Sequence, residues 1–387
     1  RPLTLKILER PRVLERIRAS IPEGHAGHLS CFNVTVLERS LAVQLRLPVY
    51  GCDPELYSLG TKSNSRRILR ECGLRVPPGF EDLRDTADIV EGLAEMKRQL
   101  PELRQAVVKM NDGFSGEGNA LFSFDGYPSG GVDKSWIRES LERSLCVVAA
   151  HLSIHQFLEK FRLMGGIVEA FVGGAGNRSP SVQCRINPLG RCEVISTHEQ
   201  VLDASCGQVY NGAYFPAAPE YAAELGERGL SIAENLRDKG VQGRFGVDFV
   251  SVPERNGWSH YAIEINLRKG GTTHPYLMLQ FLTDGSYDRQ MGLYFTANHQ
   301  PRYYYTTDNL HRESYRGLLS HDLIDIAMCN GLQYDGSSQE GVMFHLIGAL
   351  SEYGKMGVVC IGSSPGSARR FYERTVEVLD RESQREY

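Results

Sequence analysis

The sequence lacks the features that mark several large classes of protein. Its formal net charge is only −4 over 387 residues, so charge gives no reason to expect nucleic acid or an anionic membrane as a partner. No apolar run approaches the roughly 20 residues that a membrane-spanning helix requires, and no internal repeat or low-complexity stretch stands out. The composition, 41% hydrophobic and 23% charged, predicts a globular protein with two or three lobes.

Cysteine is present without a pattern. The nine cysteines include no C-x-x-C or other metal-ligand spacing, and their number is odd. Scattered thiols in a chain of this size favour a reducing compartment, so we expect a cytoplasmic protein. Cys206, in a Ser-Cys-Gly turn, is the one candidate nucleophile, but nothing nearby supplies a base, and a structural cysteine is the favoured interpretation.

The first 59 residues are typical of the end of a small α/β unit. Val36–Leu47 predicts a helix with Thr35 as its N-cap and Glu38 completing a capping box. A short strand is predicted at Pro48–Gly51. The chain begins at Arg1 without an initiator methionine or a signal-peptide pattern, so we expect that a further N-terminal piece precedes it.

Helices and strands alternate along the rest of the chain. Helices are predicted at Trp136–Leu158, Tyr221–Arg237, from Pro275 through Leu282, around Leu318–Met328 and from Pro365 onward. Strands are predicted at Ile167–Val172, Ser181–Ile186, Glu193–Thr197, Tyr303–Thr306 and Gly357–Gly362. For His198, at the end of the third of these strands, a hydrogen-bonded structural role is favoured over contact with a ligand.

A stretch near the middle of the chain, Val241–Pro275, carries the strongest chemical pattern. It predicts two strands, Gly246–Val250 and Tyr261–Asn266, joined by turn-forming residues. Arg268 and the pair Gly270-Gly271 follow directly, and glycine lets the backbone approach a ligand closely.

Three polar side chains of this stretch are expected on one face. Strand alternation puts Glu264 and Asn266 on the same side, with Ile263 and Ile265 in a core, and Asp248 joins them if the two strands pair. Two carboxylates and an amide oxygen suit Mg²⁺ bridged to nucleotide phosphates. The alternative is that these residues are merely solvated, but the arginine and glycines that follow favour a metal–phosphate site.

Two lysines lie upstream of this stretch. Lys62 is in the first turn of a predicted helix, Thr61–Cys72, and Lys109 is in a buried strand, Ala106–Met110. A glycine-rich loop, Asn111–Asn119, comes next and leads into another strand. A lysine beside such a loop is typical of phosphate binding, although a mobile hairpin is the alternative. Because the lysine precedes the glycines, neither a Walker A loop nor a kinase pattern fits, and because the loop leads to a strand and not to a helix, the Rossmann pattern does not fit either.

Taken in order, these residues resemble an ATP-grasp ligase. That superfamily has a lysine in a linker helix, a second lysine before a glycine-rich loop, an adenine hinge after a strand glutamate, and an acidic Mg²⁺ set followed by an arginine. The matching positions are Lys62, Lys109, Gly113, Ser115, Gly116, Gly118, Glu169, Ala170, Phe171, Val172, Asp248, Glu264, Asn266 and Arg268.

The closer resemblance is to the pheganomycin-type peptide ligases, over nearly the entire chain. It rests on Phe-Asn-Val-Thr with Glu38, on Tyr50-Gly51, and on Gly60-Thr-Lys-Ser63. Two further strings carry it: Ser115-Gly-Glu-Gly-Asn119 and the specific run from Glu264 to Pro275. We expect that the beginning of that family's first domain is not part of this sequence.

The resemblance implies an ATP-grasp fold, with two α+β lobes that hold ATP. It divides the chain into a partial small α/β domain (1–59), the ATP-grasp domain (60–300) and a C-terminal α/β domain (301–387). Lys62, Lys109 and the loop from Gly113 to Gly118 would bind the phosphates, and residues 169–172 would form the adenine hinge. Asp248, Glu264 and Asn266 would hold one or two Mg²⁺ ions.

The implied activity is an ADP-forming ligation of a carboxylate to an amine, through an acyl phosphate that Arg268 and Arg185 would stabilise. The substrates would be small molecules or peptides, with no nucleic-acid or membrane partner. Their identity and the oligomeric state stay open. Two alternatives remain: a silent nucleotide-binding scaffold, and a kinase that stops at phosphoryl transfer.

Overall fold

The structure, a computed structural model, describes residues 1–22, 24–113, 116, 118–128, 131, 133–203, 207 and 209–384. Ser115 and Cys206 lie outside these residues. The described residues form two large β-sheets with helices packed on them, preceded by a short helical segment. This arrangement agrees with the mixed helix-and-sheet class that the sequence predicts.

Three helices precede the first sheet: α1 (Leu3–Leu8), α2 (Pro11–Ala19) and α3 (Val36–Leu45). The predicted capping box of α3 is confirmed, because the Thr35 hydroxyl accepts from the backbone of the helix and the Thr35 N–H donates to Glu38 at 2.9 Å. The strand predicted at Pro48–Gly51 is wrong: it is reduced to a single parallel bridge between Leu29 and Val49.

A 3₁₀ helix (Pro54–Gly60) and helix α4 (Lys62–Glu71) lead into the first sheet. Its strands are β1 (Gly79–Leu83), β2 (Gln105–Met110), β3 (Asn119–Ser123), β4 (Cys146–Val147) and β5 (Gly166–Ala170). They lie in the order β1-β5-β2-β3-β4, and all pairs are antiparallel. The helices that cover this sheet are α5 (Thr86–Gln99), α6 (Lys134–Ser144) and α7 (Ile154–Met164).

The region Trp136–Leu158, predicted as mostly helix, is interrupted. Helix α6 ends at Ser144, and the next residues form β4 and pair with β3. A second helix starts at Ile154 because Ser153 and Gln156 form a capping box. The apolar periodicity on both sides of the break hides it in the sequence.

The second sheet begins with β6 (Pro180–Ile186), β7 (Cys192–Leu202), β8 (Tyr210–Phe215), β9 (Gly243–Glu254) and β10 (Gly257–Asn266). Helix α8 (Pro219–Asp238) packs on it, and α9 (Thr273–Thr283) follows with a small hairpin of β11 (Ser286–Asp288) and β12 (Leu293–Phe295). Strands β9 and β10 are the predicted pair, longer than expected and joined by a tighter turn.

The C-terminal part adds β13 (Tyr303–His311), α10 (Ser320–Cys329), β14 (Gly341–His345), α11 (Leu350–Tyr353), β15 (Lys355–Gly362) and α12 (Pro365–Glu382). Its strands belong to the second sheet, whose order is β10-β9-β6-β7-β8-β13-β15-β14. The sheet therefore runs without a break across the boundary predicted at residues 300 and 301. The division of the chain into domains stays a prediction.

Strand β10 is one edge of this sheet, and α4 lies along it. The backbone N–H of Ile265 donates to the Ser65 hydroxyl at 3.2 Å, and the N–H of Ala262 donates to the Arg75 carbonyl at 2.8 Å. These contacts satisfy donors that an open edge would expose.

No helix in the described part of the chain combines the length and apolar character that a membrane span needs.

Candidate active site

A cavity of about 800 Å³ lies between the two sheets. Strands β2 and β5 line it from the first sheet, and β6, β7, β9 and β10 line it from the second. Its volume is typical of a site that encloses a small molecule or cofactor. Most of the polar residues that the sequence analysis selected meet here.

Lys109 reaches the cavity from β2, held by a buried charge network. Its ammonium lies 2.7 Å from one oxygen of Glu169 on β5, and the other oxygen of Glu169 accepts from Arg66 of α4 at 2.5 Å. Lys109, Glu169 and Arg66 are 5%, 2% and 0% exposed. Glu169 therefore fixes the position of Lys109, and the residues that follow it, Ala170 to Gly174, also line the cavity where the chain passes from the first sheet to the second.

The glycine-rich loop begins and ends in close backbone contacts. A Cβ on Gly113 would lie 2.9 Å from the Cα of Gly118, and Gly116 has φ +79°, a conformation that other residues rarely adopt. The carbonyl and side chain of Asn111 accept from the backbone N–H groups of Lys62 and Ser63 at 3.1 and 3.0 Å. Thus the loop is attached to the helix that carries Lys62.

The predicted acidic set is assembled as expected. Glu264 on β10 lies opposite Asp248 on β9. The amide nitrogen of Asn266 donates to Asp248 at 2.9 Å and to Glu264 at 3.1 Å. Gln200 of β7, which the sequence analysis did not select, donates to the other oxygen of Asp248 at 2.6 Å.

A β-bulge corrects one detail of this strand. Ala262 pairs with Phe249 and Glu264 pairs with Asp248, so Ile263 is the extra residue. Ile263 was predicted in the core beside Ile265, but it lines the cavity, while Ala262 and Ile265 are the buried residues. Strict alternation cannot reveal an inserted residue.

The surroundings of Asp248 and Glu264 shift the pKa values of the two carboxyl groups in opposite directions. Burial and then the neighbouring charge of Glu264 raise the pKa of Asp248 to about 7. Burial also acts to raise the pKa of Glu264, but the ammonium groups of Lys62 and Lys109 outweigh it and hold that pKa well below its usual range. Lys62 forms an ion pair with Glu264. Glu264 therefore stays ionised, and it is Asp248 that binds a proton most readily.

The donor set fits Mg²⁺. No group of three or more His, Cys, Asp or Glu side chains suited to a metal occurs among the residues that the structure describes, so a metal here would rely on Asp248, Glu264, Asn266 and oxygens of a bound ligand. All three side chains offer oxygen, the atom that Mg²⁺ prefers. Asn266 would need to turn its amide, since its oxygen now accepts from Arg268 at 3.3 Å.

The two predicted catalytic arginines differ in position. Arg268 lines the cavity, with its guanidinium 5.7 Å from the ring centre of Phe32. Arg185 is not among the residues that line it and instead pairs with Glu193 on the neighbouring strand. Arg185 lies opposite Arg244, four residues along β9 from Asp248, so the structure does not support contact of Arg185 with the reacting groups.

Models of two known families match the chain. A model described as "IQCH-like, ATP-grasp" matches residues 54–129 and 139–290, more than half of the chain, and one described as "PGM1 C-terminal domain" matches residues 322–375. The chain belongs to the IQCH-like ATP-grasp family. This match confirms the resemblance to ATP-grasp ligases that the sequence motifs indicate.

Two curated relatives of this ATP-grasp protein extend the likeness. It is 28% identical to L-propargylglycine–L-glutamate ligase of Streptantibioticus cattleyicolor, over 98% of this chain and 76% of that protein. It is 24% identical to IQ motif-containing protein H of Danio rerio, over 70% of this chain and 28% of that protein.

Solved structures confirm the fold. The ADP complex of N5-carboxyaminoimidazole ribonucleotide synthetase gives a TM-score of 0.57 at 12% identity, covering 96% of this chain and 84% of that one. A nucleotide complex of biotin carboxylase from Campylobacter jejuni gives 0.58 at 12% identity, covering 87% and 70%. At this identity the likeness concerns the fold alone.

The C-terminal strands bring residues to the ATP-grasp cavity that the sequence analysis missed. Asp308 sits in a bulge of β13 and lines the cavity, and a Cβ on Gly271 would lie 3.5 Å from its carboxylate. His274 also lines the cavity, with its Nε2 2.9 Å from Nδ1 of His345 on β14. His274 lies within the string that identified the family, but no local pattern marks Asp308.

Proposed function

We propose that this protein is an ADP-forming carboxylate–amine ligase that makes an amide bond through an acyl phosphate. The observation that carries the proposal is the meeting of two buried lysines with an Asp–Glu–Asn set in one cavity between the lobes. Two neighbouring carboxylates repel each other, which raises the pKa of one of them and disfavours its charged form. A protein that only binds nucleotide has no need to hold two carboxylates so close together.

The lysines and the loop would bind the triphosphate. The ion pair with Glu169 holds the Lys109 ammonium in place, and the backbone of Lys62 is held at the start of α4. Both lysines are therefore already positioned to neutralise phosphate charge. Gly113, Gly116 and Gly118 would place backbone near the phosphates, and the backbone of Ala170 to Val172 would face the adenine. Because a phosphate would compete with Glu264 for Lys62, nucleotide binding frees that carboxylate.

Asp248, Glu264 and Asn266 would hold one or two Mg²⁺ ions, which would neutralise charge on the transferred phosphoryl group. Arg268 lies next to this set, where its guanidinium can stabilise the acyl phosphate. The Asp308 carboxylate, which lines the cavity near His274, would hold the ammonium form of the amine before attack.

Amino acids or short peptides are the substrate class that we propose. The relative from S. cattleyicolor is named as a ligase of L-propargylglycine and L-glutamate, which supports an amino-acid carboxylate and an amino-acid amine here. A cytoplasmic location belongs to the same proposal, and it is supported by the eight cysteines of the described residues, all of which are free thiols.

An ADP-release screen with amino acids and short peptides, offered singly and in pairs, tests the proposal. ADP and an amide that require both a carboxylate and an amine support the ligase. ADP with a stable phosphate ester indicates a kinase, and no ADP indicates a scaffold. Formation of AMP and pyrophosphate would contradict the mechanism.

Arg268→Lys sharpens this test, because lysine keeps the charge but loses the planar fork of donors. We expect amide formation to fall by at least about tenfold, the effect of losing one charge-assisted hydrogen bond, with the KM for ATP unchanged. A parallel rise in the KM for ATP would place Arg268 on the nucleotide instead.

A further inference from the structure

A second, much smaller recess lies directly behind Arg268. The residues that line it include Tyr50, Arg244, Lys269, Phe32 and Arg268. Its free volume is about 10 Å³, roughly the space of one water-sized group. Phe32 and Arg268 also line the large cavity. The recess is therefore a side chamber that the large cavity reaches past these two side chains.

No acidic side chain of the described residues lines the recess, and the carboxylate that acts on Arg244 from outside it, Glu193, is already paired with Arg185. The Arg244 guanidinium makes no hydrogen bond or ion pair with any described residue, and the Lys269 ammonium donates only to the Ser30 hydroxyl, at 2.6 Å. Burial and then the charge of Arg185 lower the pKa of Arg244, and burial and then Arg244 lower the pKa of Lys269. By contrast, Arg185 is paired with an acid.

An unused hydrogen-bonding group lies beside these cations. The phenolic oxygen of Tyr50 is buried and has no hydrogen-bond partner in the described part of the chain. A buried hydroxyl without a partner costs free energy, as does a cation removed from water without a counter-charge. Two cations and a hydroxyl can all be satisfied by one small anion.

Backbone contacts fix the walls of the recess. Gly243, with φ +102°, packs so tightly that a Cβ there would lie 2.7 Å from the Cα of Gly51. This places Arg244 beside Tyr50. On the other side, the N–H of Lys269 donates to the carbonyl of Phe32 at 3.0 Å. The backbone that carries the two cationic side chains is therefore held in position on both sides of the recess.

We propose that this recess binds the non-reacting carboxylate of one of the amino-acid substrates, while the reacting end of that molecule lies past Arg268 in the large cavity. The inference rests on the proposed ligase function. A planar carboxylate suits the guanidinium of Arg244 in two parallel hydrogen bonds. The free volume of about 10 Å³ is that of one oxygen-sized group, so a carboxylate would enter with one oxygen first, and a phosphate group, which brings additional oxygens, fits less well.

The ligand-free protein provides the first test, with Arg244→Gln. Removing an unpaired cation relieves repulsion, so the midpoint of thermal unfolding stays equal to that of the wild type or rises. The matched control is Arg228→Gln, which removes a partly buried arginine that is paired with Glu224 and lies away from both cavities. A large loss of stability in Arg244→Gln alone would make Arg244 a structural residue and overturn the inference.

Kinetics provide the second test. ADP release is measured with an amino-acid substrate and with the same compound carrying a primary amide in place of its non-reacting carboxylate. We expect the wild type to prefer the free acid in kcat/KM by about ten- to a hundredfold. Arg244→Gln, and Lys269→Met as a second variant, lose this preference and keep the KM for ATP. An equal preference in wild type and variants would contradict the proposal.

A binding test separates the recess from the ligase activity. L-Glutamate, its diamide and inorganic phosphate are compared as stabilisers of the wild type and of Arg244→Gln against heat. Glutamate should stabilise the wild type most, and Arg244→Gln should lose that stabilisation. If glutamate stabilises both proteins equally, or phosphate stabilises the wild type more than glutamate does, the inference fails, whatever the ADP screen shows. If no pair of substrates releases ADP, the proposed function fails, and the glutamate result still decides the recess.

Discussion

Glu264 has one role in the ligand-free protein and another in the proposed reaction. In the structure it balances Lys62, and burial alone would favour its protonated form. In the reaction its charge would serve a metal ion. The same carboxylate could serve both roles because a bound phosphate would replace it as the partner of Lys62.

Glu264→Gln tests this role with little change in shape. Losing an outer-shell partner of a metal ligand costs up to about a hundredfold in activity. Because Glu264 would bind the metal directly, we expect amide formation to fall by more than that. Circular dichroism should show an unchanged fold. The control is Glu224→Gln on α8, outside the cavity. Wild-type turnover of Glu264→Gln at saturating Mg²⁺ would remove Glu264 from the metal set.

His198 illustrates what the sequence could and could not say about a single residue. The favoured interpretation was a hydrogen-bonded structural histidine, and the structure places it fully buried with Nε2 2.7 Å from the Tyr304 hydroxyl. The sequence could not supply this partner, because Tyr304 lies more than a hundred positions away. Burial lowers the pKa of His198 from 6.5 to about 3.

This pKa has a consequence for stability. Below about pH 6.5 the unfolded chain binds a proton at His198 that the folded chain does not bind until about pH 3. The stability due to neutral His198 is therefore complete above pH 6.5 and falls as the pH decreases, by at most about 1.4 kcal/mol per pH unit. We expect His198→Gln to have a smaller slope of unfolding free energy against pH between 6.5 and 3. Exposed His321 supplies the control, and an unchanged slope in His198→Gln would contradict the pKa.

At the scale of elements, the sequence predicts those with strong local patterns and fails where the signal is distant. The capping box of α3 and the pair β9–β10 were predicted, because capping and alternation are local. Strand β8 was not, since it contains Gly212 and forms only by pairing with β7 and β13. The bulge at Ile263 was also missed, because it shows only in the register with β9.

The contact between α4 and β10 gives a prediction for an element. Ser65, 0% exposed, is the acceptor for the N–H of Ile265, which lies between the two positions of β10 that we propose bind a metal. Ser65→Ala leaves that N–H without a partner, at a cost of about 1–3 kcal/mol in the free energy of unfolding. Urea denaturation measures the loss, with Ser40→Ala, an exposed serine bonded to its own helix, as the control. Equal effects of the two changes would mean that the edge contact is unimportant.

At the scale of the molecule, the C-terminal strands are continuous with the ATP-binding lobe. Val359 and Ile361 of β15 pack with Phe215 of β8 and Tyr304 of β13 in one cluster. The division of the chain at residue 300 rests on the family resemblance alone. The sequence could not show that the new strands extend an existing sheet, since strand order depends on long-range pairing.

Val359→Ala tests whether this sheet unfolds as one unit. Val359 is 0% exposed, and its truncation should cost about 1–3 kcal/mol. We expect amide hydrogen exchange to report the same loss of protection in β7 and β8 as in β15. A loss confined to residues after 300 would instead support an independent C-terminal domain.

The placement of α4 along the edge of β10 affects which variants a screen for soluble expression would retain. The same helix shields an edge strand that could recruit other chains into aggregates, and carries Lys62 into the cavity. A change that displaces it would lower both the yield of dispersed protein and the rate of the reaction. A library screened only for soluble expression would therefore also be enriched in variants that keep Lys62 and Glu264 in register.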